Sequence, residues 1–221
     1  MKTIRNRARE RLPSVLLTLL SIVQALALEF LWSHVRDTDY LLVGSWTAIL
    51  SWLQITASFI SIVLIWLVYA SNAMRFRWVP NTSDSVYPFI IGLLEFMLIE
   101  NLGPDTIGLW LICLAVIFGS MVWISHMTMR RARLDGDNDE FFSQLAPATL
   151  RDFYPAIGIV GGFTLVGIQL EVSGSQGSIA MIAVVIANIV VIWQSFMTAH
   201  YWNRSVAGDA EPQPEPRPPD T

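Results

Sequence analysis

Charged residues are scarce in this chain, and their scarcity excludes most soluble folds. Only 14% of the 221 residues are charged, 53% are hydrophobic, and the mean hydropathy is +0.50. An average soluble domain carries about 25% charged residues and fewer apolar ones. The composition therefore predicts a membrane protein whose first partner is the lipid bilayer.

Cysteine and the familiar catalytic motifs are also scarce. The single cysteine, Cys113, excludes a disulfide or a cysteine-ligated metal within one chain. No nucleophile elbow, phosphate-binding loop, zinc-binding helix motif or dinucleotide fingerprint occurs. We therefore expect no cofactor, no metal and no nucleic-acid partner, and a function other than an enzyme's is favoured.

Apolar runs, by contrast, are abundant. Six of them approach or exceed the roughly 20 residues that cross a hydrocarbon core. They cover about 12–33, 45–70, 86–103, 107–128, 153–172 and 178–202. The sequence predicts an all-α, polytopic membrane protein with six transmembrane helices in a domain at 1–206. The remainder, 207–221, is rich in Pro, Glu and Asp and is predicted to be a disordered cytoplasmic tail.

The basic residues predict the orientation of these helices. Of the 14 Lys and Arg residues, all but Arg36 fall on one side of the six spans, and basic residues are retained on the cytoplasmic side. Both termini are therefore predicted to be cytoplasmic, with outer loops near 34–44, 103–106 and 173–177. We expect a multi-pass protein of a bacterial cytoplasmic (inner) membrane. No small-residue cleavage site follows the first apolar run, so it is interpreted as a retained span.

Three glutamates indicate an internal repeat. Glu29, Glu100 and Glu171 are spaced 71 residues apart, and each lies near the end of an apolar run. The odd-numbered spans also share a proline at their predicted start, where a missing N–H costs nothing. These prolines are Pro13, Pro88 and Pro155. The pattern predicts three tandem two-helix units, at about 12–78, 86–133 and 153–204, around a pseudo-threefold axis.

The repeat glutamates have two interpretations. Each lies within a few residues of an outer loop, where its carboxylate can reach headgroup water. Alternatively, Glu29, Glu100 and Glu171 form a ring of outer acidic positions that attracts cations.

Glu95 differs from these three because it falls near the middle of the third span. An ionised carboxylate at that depth costs several kcal/mol unless it is paired or hydrated, which makes it a candidate for transport. The 71-residue offset places Gln24 at the same position of the first unit, while Asn188 and Gln54 are further polar groups within reach. The alternative is a structural network of interhelical hydrogen bonds.

The second span carries a continuous polar face. Its members are Thr47, Ser51, Gln54, Ser58 and Ser61. Such a face either lines a hydrated path or lets two helices approach closely. Gly158 and Gly162 in the fifth span, and Ala180, Ala183 and Ala187 in the sixth, form small-residue stripes. We expect these two helices to pack against each other or against a second subunit.

Three further features carry smaller predictions. His126 and His200 lie at the cytoplasmic ends of their spans, as interfacial residues or, alternatively, as a haem pair. The acidic stretch 135–140 begins like a calcium loop but lacks the required glycine and glutamate, so a solvated turn before a short helix near 138–145 is favoured. Thr149 and Asp152 are predicted to cap the fifth span.

Together these features favour a small channel or transporter that passes cations or protons. The polar candidates are Glu95, Gln24, Gln54, Asn188, Ser58 and Ser61, with Glu29, Glu100 and Glu171 at the outer side. The alternative is a membrane-embedded accessory or scaffold subunit, which would bind a partner membrane subunit or form a homo-oligomer.

Overall fold

The computed structural model describes residues 4–78, 81–143, 146–174 and 177–208, and it contains helices and no strand within those ranges. The α-helices are α1 (Ile4–Asp37), α2 (Trp46–Arg75), α3 (Tyr87–Glu100), α4 (Ile107–Ala132), α5 (Asp139–Ser143), α6 (Tyr154–Ser173) and α7 (Ser178–Gly208). Short 3-10 helices cover Asp39–Leu42, Thr82–Ser85, Gly136–Asn138 and Leu150–Phe153. The all-α prediction is confirmed. The predicted tail lies outside the described residues from position 209 onward, and α7 includes its first two residues.

Five of the helices are long and apolar enough to cross a membrane. They are α1, α2, α4, α7 and α6 together with the 3-10 turn before it. α3 has 14 residues, which at 1.5 Å per residue is about 21 Å, less than the roughly 30 Å of a hydrocarbon core. A multi-pass membrane protein is thus supported by five helices, and the sixth crossing stays a prediction.

The helix ends follow from residues with special backbone or side-chain properties. Pro88 and Pro155 lie in the first turns of α3 and α6, as predicted. The Ser45 hydroxyl accepts a hydrogen bond from the Ala48 N–H and caps α2. α6 ends at Gly174, whose φ of 60° is left-handed and favours glycine.

The cap predicted before α6 is confirmed. The carboxylate of Asp152 accepts hydrogen bonds from both the N–H and the hydroxyl of Thr149, at 2.7 and 3.0 Å. These bonds form a capping box at the 3-10 turn that leads into α6.

The prediction that Pro13 starts the first helix is wrong, because α1 begins at Ile4 and contains Pro13. An interior proline removes one backbone hydrogen bond and usually kinks or breaks a helix, yet here the helix continues on the N-terminal side of Pro13. The Arg9 guanidinium contacts the carboxylates of Asp135 and Asp137. This contact fixes the first turns of α1 against the segment that follows α4.

The packing joins the helices in unequal pairs. α1 packs on α2 and α3, and α3 on α4, while the most extensive contacts are those of α4 with α6 and of α2 with α7. α6 and α7 hardly touch each other. The first two predicted hairpins therefore have paired helices and the third does not, so the contacts do not confirm a threefold arrangement.

Glycines make the closest approach between two helices, but not the glycines that the sequence pattern indicated. A methyl group at Gly108 of α4 would lie 2.5 Å from the carbonyl oxygen of Gly167 of α6. At Gly158 and Gly162 a methyl group would meet nothing within 4 Å. The expectation that α6 and α7 pack tightly against each other is therefore wrong within one chain. The second-subunit alternative is untested.

The end of the bundle that carries the N-terminus of α1 has its own small core. Phe76, Trp78, Ala132 and Phe142 form a buried apolar cluster there. The guanidinium of Arg133 lies 4.7 Å from the ring centroid of Phe142, a cation–π contact. This cluster joins the segment after α2 to the segment after α4.

Ion pairs surround that cluster. Asp137 pairs with Arg77 at 2.9 Å and with Arg9, while Asp84 pairs with Arg131 at 2.7 Å. The short helix predicted near 138–145 is confirmed as α5. The preceding acidic turn is ion-paired rather than merely solvated, because the basic ends of α1 and α2 meet it.

Candidate functional site

Glu95 lies in the contact between α1 and α3, fully buried, with 0% of its surface exposed. One carboxyl oxygen, Oε1, accepts a hydrogen bond from the Gln24 side-chain amide at 3.2 Å, and the same amide nitrogen donates to the Ile62 carbonyl of α2 at 3.0 Å. The other oxygen, Oε2, has no hydrogen-bond partner among the described residues. The carboxyl is therefore held at a junction of three helices, and one of its two oxygens has no hydrogen-bond partner in the described residues.

This pair joins two positions that the 71-residue offset made equivalent. α1 and α3 approach closely there because Gly92 has no side chain and Val23 occupies the space that a methyl group would take. The sequence placed Gln24 and Glu95 at the same depth, and the structure brings their side chains into contact.

The polar face of α2 is a packing face. Gln54, Ser58 and Ser61 are all buried. The Ser58 hydroxyl accepts a hydrogen bond from the indole N–H of Trp110 at 3.0 Å, and Gln54 Oε1 accepts from the Gly103 N–H at 3.3 Å. Gln54 and Ser58 therefore take part in helix packing, which is one of the two interpretations of this face.

Ser61 and Gln54 of this face differ in how their side chains are hydrogen-bonded. The Ser61 hydroxyl donates to the Ala57 carbonyl of its own helix at 2.7 Å. The side-chain nitrogen of Gln54 is buried and has no hydrogen-bond partner in the described part of the chain. Gln54 Nε2 and Glu95 Oε2 are therefore the two unsatisfied atoms among the residues singled out as polar candidates.

Asn188 connects α7 to α2. Its side-chain amide donates to the Leu53 carbonyl at 3.0 Å and to the Val184 carbonyl at 2.9 Å. No hydrogen bond joins it to Glu95 in the described residues. Its bonds fit the alternative prediction, a structural network of hydrogen bonds between helices.

The three repeat glutamates do not share one environment. All three are exposed on the surface of the bundle. Glu171 accepts a hydrogen bond from the Leu109 N–H of α4 at 2.9 Å, next to the close contact of Gly108 with Gly167. Its side chain therefore caps the start of α4, where a helix has an unused N–H group.

His126 and His200 contact different aromatic rings. The ring of His126 lies edge-on to Phe153 at 5.0 Å between centroids, and that of His200 lies 5.9 Å from Tyr201. No contact in the described residues joins the two histidines. No group of three or more His, Cys, Asp or Glu side chains suited to a metal ion occurs there either.

A cavity of about 320 Å³ lies between the pair α4–α6 and the pair α2–α7. Its wall is mostly apolar, with five polar side chains. These are Ser61, Ser125, His126, Asp152 and Gln194. The wall includes the exposed residues Met129, Ala148 and Asp152, which place the opening at the end of the bundle that carries the ion pairs.

A second, much smaller cavity of about 10 Å³ lies nearer to Glu95. Its wall includes Ile91, one turn before Glu95 on α3, and it shares Ile65 and Met121 with the large cavity. A cavity of this size is at the lower limit for one water molecule. The two cavities are therefore neighbours, and Glu95 belongs to the wall of neither.

Sequence reasoning missed the large cavity and several polar partners. The cavity depends on the separation of α6 from α7, which no local pattern reports. The partners Trp110 and Tyr40, which bond Ser58 and Ser51, are isolated in the sequence from the face that they satisfy. The N–H of a tryptophan or the O–H of a tyrosine usually needs a hydrogen-bond partner when it is buried, and a neighbouring helix with a polar face can supply one. This requirement was the available indication of the two contacts.

Comparison of the chain with protein-family models, with curated proteins and with solved structures finds no match.

Proposed function

We propose that this chain is a small multi-pass membrane transporter that passes protons, with Glu95 as the group that takes up and releases the transported proton. The supporting observation is the Glu95 carboxyl, which has 0% exposure, one oxygen bonded to Gln24 and the other without a hydrogen bond in the described residues. An ionised carboxylate costs several kcal/mol in such a place, whereas the neutral acid costs much less. Release and return of a proton would therefore move the site between two states of different energy, which suits a transport step.

Protons suit the site better than hydrated cations do. The small cavity whose wall includes Ile91, one turn before Glu95, has about 10 Å³, which is the lower limit for one water molecule. A proton can pass along single water molecules and side chains, whereas a hydrated cation needs an open path. The notion of an outer ring of glutamates that attracts cations stays a separate proposal.

The proposed topology has six crossings with both termini cytoplasmic, in a bacterial cytoplasmic membrane. α3 would complete the sixth crossing with the turns on either side of it. The support is the clustering of Arg9, Arg77 and Arg131 at one end of the bundle, since basic residues favour the cytoplasmic side. The three-unit repeat is supported by the contact of the equivalent positions Gln24 and Glu95.

A second proposed function is that of an accessory subunit bound to a partner membrane helix or to a second copy. One observation favours it: the Gly158 and Gly162 face of α6 has nothing within 4 Å, although glycine pairs of this spacing often join membrane helices.

Proton flux into liposomes tests the first proposal. Purified protein in vesicles with an internal pH-sensitive dye and a potassium-driven potential should acidify or alkalinise the lumen faster than empty vesicles do. Glu95→Gln keeps the shape and the Gln24 contact but cannot release a proton, so it should abolish the protein-dependent flux.

Glu140→Gln is the matched control, because the same change falls on the exposed residue of α5 and should leave flux unchanged. Flux that is equal in wild type and Glu95→Gln, with both proteins folded, would contradict the proposal. Absence of flux together with a stable self-associated or partner-bound form would favour the accessory subunit.

A further inference from the structure

The large cavity has the properties of a lipid site, and it is independent of proton passage. It lies in the gap between two packed helix pairs, α4–α6 and α2–α7, whose facing members α6 and α7 hardly touch. Its depth is lined by apolar side chains such as Leu114, Phe118 and Phe163. Both α6 and α7 are mostly exposed along their apolar segments, so acyl chains would surround them in a bilayer.

The cavity has the size of a site for a small molecule. Sites for small molecules begin at about 300 Å³, and this cavity has about 320 Å³. An apolar wall of this kind excludes a polar solute and accepts hydrocarbon.

Two arginines adjoin, in the sequence, wall residues at the opening of the cavity. Arg130 directly follows Met129, and Arg151 directly precedes Asp152, and both of these neighbours belong to the cavity wall. Both arginines are exposed, and neither forms an ion pair or a hydrogen bond with its side chain in the described part of the chain. Arg9, Arg77 and Arg131 at the same end are, in contrast, paired with aspartates.

The remaining polar groups at the opening are compatible with an anion. Asp152 is the one acid of the wall, and its carboxylate already accepts two hydrogen bonds from Thr149. Ser125, His126 and Gln194 offer hydrogen-bond donors at the same end. The wall at this end therefore offers hydrogen-bond donors, and the two arginines next to it in the sequence form no ion pair in the described residues.

We infer that this cavity binds one acyl chain of an anionic membrane phospholipid, with the headgroup near Arg130 and Arg151. The guanidinium groups select the anionic headgroup, because basic residues at a membrane surface attract it. The gap between α6 and α7 is the entry path from the bilayer.

Photo-crosslinking tests this site. The protein is reconstituted in vesicles of phosphatidylcholine and phosphatidylglycerol, with a trace of either lipid carrying a diazirine on one acyl chain. After illumination, the labelled residues are mapped by peptide mass spectrometry. Labelling should concentrate on the cavity wall in α4 and α7 and be stronger with the phosphatidylglycerol probe.

Two kinds of variant separate the cavity from the headgroup site. Ser125→Phe and, from the opposite side, Val190→Phe fill the cavity and should remove its labelling, while Ser120→Phe on the same helix as Ser125 lies outside the wall and should not. Arg130→Gln and Arg151→Gln should each lower the preference for phosphatidylglycerol about fivefold. The pair Arg11→Gln and Arg204→Gln is the control, because both are exposed and neither adjoins a wall residue in the sequence.

Labelling spread evenly over the apolar helix faces and unchanged by both filling variants would overturn the site. Labelling of the cavity with equal yield from both lipids, or a preference that the Arg130 and Arg151 variants leave intact, would overturn the assignment of an anionic phospholipid.

Discussion

At the scale of single residues, buried polar side chains set which helices meet and at what height. Gln24 reaches both Glu95 and the Ile62 carbonyl, and Asn188 reaches the Leu53 carbonyl on another helix. Each of these hydrogen bonds joins two helices. Apolar contacts alone would allow several positions of one helix along its neighbour. These side chains therefore specify the arrangement as well as stabilise it.

A double-mutant cycle measures the contact between Gln24 and Glu95. Gln24→Leu leaves the carboxyl without its one hydrogen bond, so the loss in unfolding free energy should exceed the effect of the same change made after Glu95→Leu. We expect a coupling energy of about 1 kcal/mol, in the range of interhelical hydrogen bonds in membranes. Unfolding in mixed micelles by added denaturing detergent gives the four values, and purely additive effects would show that the bond contributes nothing.

At the scale of the helices, the glycine positions decide which pairs approach closely. α4 and α6 are in contact at Gly108 and Gly167, and Glu171 of α6 binds the start of α4 beside them. The glycine pair with the familiar spacing, Gly158 and Gly162, faces away from the rest of the chain.

Alanine substitutions distinguish these two sets of glycines. Gly167→Ala places a methyl group 2.7 Å from the Gly108 carbonyl oxygen, so the helices must separate, at a cost of about 1–3 kcal/mol. Gly158→Ala meets nothing and should be neutral or stabilise by up to about 1 kcal/mol, because alanine is the better helix former. Thermal unfolding of the two purified variants tests this contrast, and equal destabilisation of both would mean that Gly158 is packed against another chain or helix.

At the scale of the whole molecule, the charged ends of α1, α2 and α4 meet in one layer. Arg9 of α1, Arg77 after α2 and the acidic turn after α4 form this layer. Those three chain segments therefore lie on the same side of any membrane that the bundle crosses.

Reporter fusions test on which side this layer lies. Reporters placed after Val79, Gly136 and Gly208 should all report a cytoplasmic location, and one in the 36–42 loop should report an external one, because 13 of the 14 basic residues flank the predicted inner side. An external location after Gly136 would end the model of three hairpins.

The outer glutamates give a separate test of the repeat. If Glu29, Glu100 and Glu171 form a ring, each change to Gln should weaken cation attraction, and the triple change should weaken it most. Added salt should reduce the difference between the variants and the wild type, since charges are screened over about 10 Å at 0.1 M. Conductance of reconstituted protein at low and high salt provides the measurement. A conductance that depends on a single glutamate would exclude the ring. Of the three changes, Glu171→Gln is the one most expected to lower stability, because Glu171 accepts a hydrogen bond from the Leu109 N–H.

Composition and local patterns were sufficient for the class of fold and for several helix ends. Pro88 and Pro155 start helices, Thr149 and Asp152 form the expected cap, and the 71-residue offset pointed to Gln24 and Glu95. These features depend on neighbours in sequence or on depth along a helix, both of which a sequence pattern records.

Which helices become partners was not predictable in the same way. The stripe at Gly158 and Gly162 indicated a close contact, yet the contact forms at Gly108 and Gly167, because rotation of each helix about its axis is decided by all of its neighbours together. The N-terminal extension of α1 past Pro13 likewise depends on ion pairs with residues more than 120 positions away. The cavity follows from these pairings and could not be seen before them.

Proton exchange at Glu95 is the central claim, and infrared difference spectroscopy tests it most directly. Spectra of the purified protein in acidic and alkaline buffer, recorded in water and in heavy water, isolate the carbonyl band of carboxyl groups that gain or lose a proton. We predict a band from a buried carboxyl that appears on acidification, shifts in heavy water and is missing from Glu95→Gln. Identical difference spectra for wild type and Glu95→Gln would contradict it.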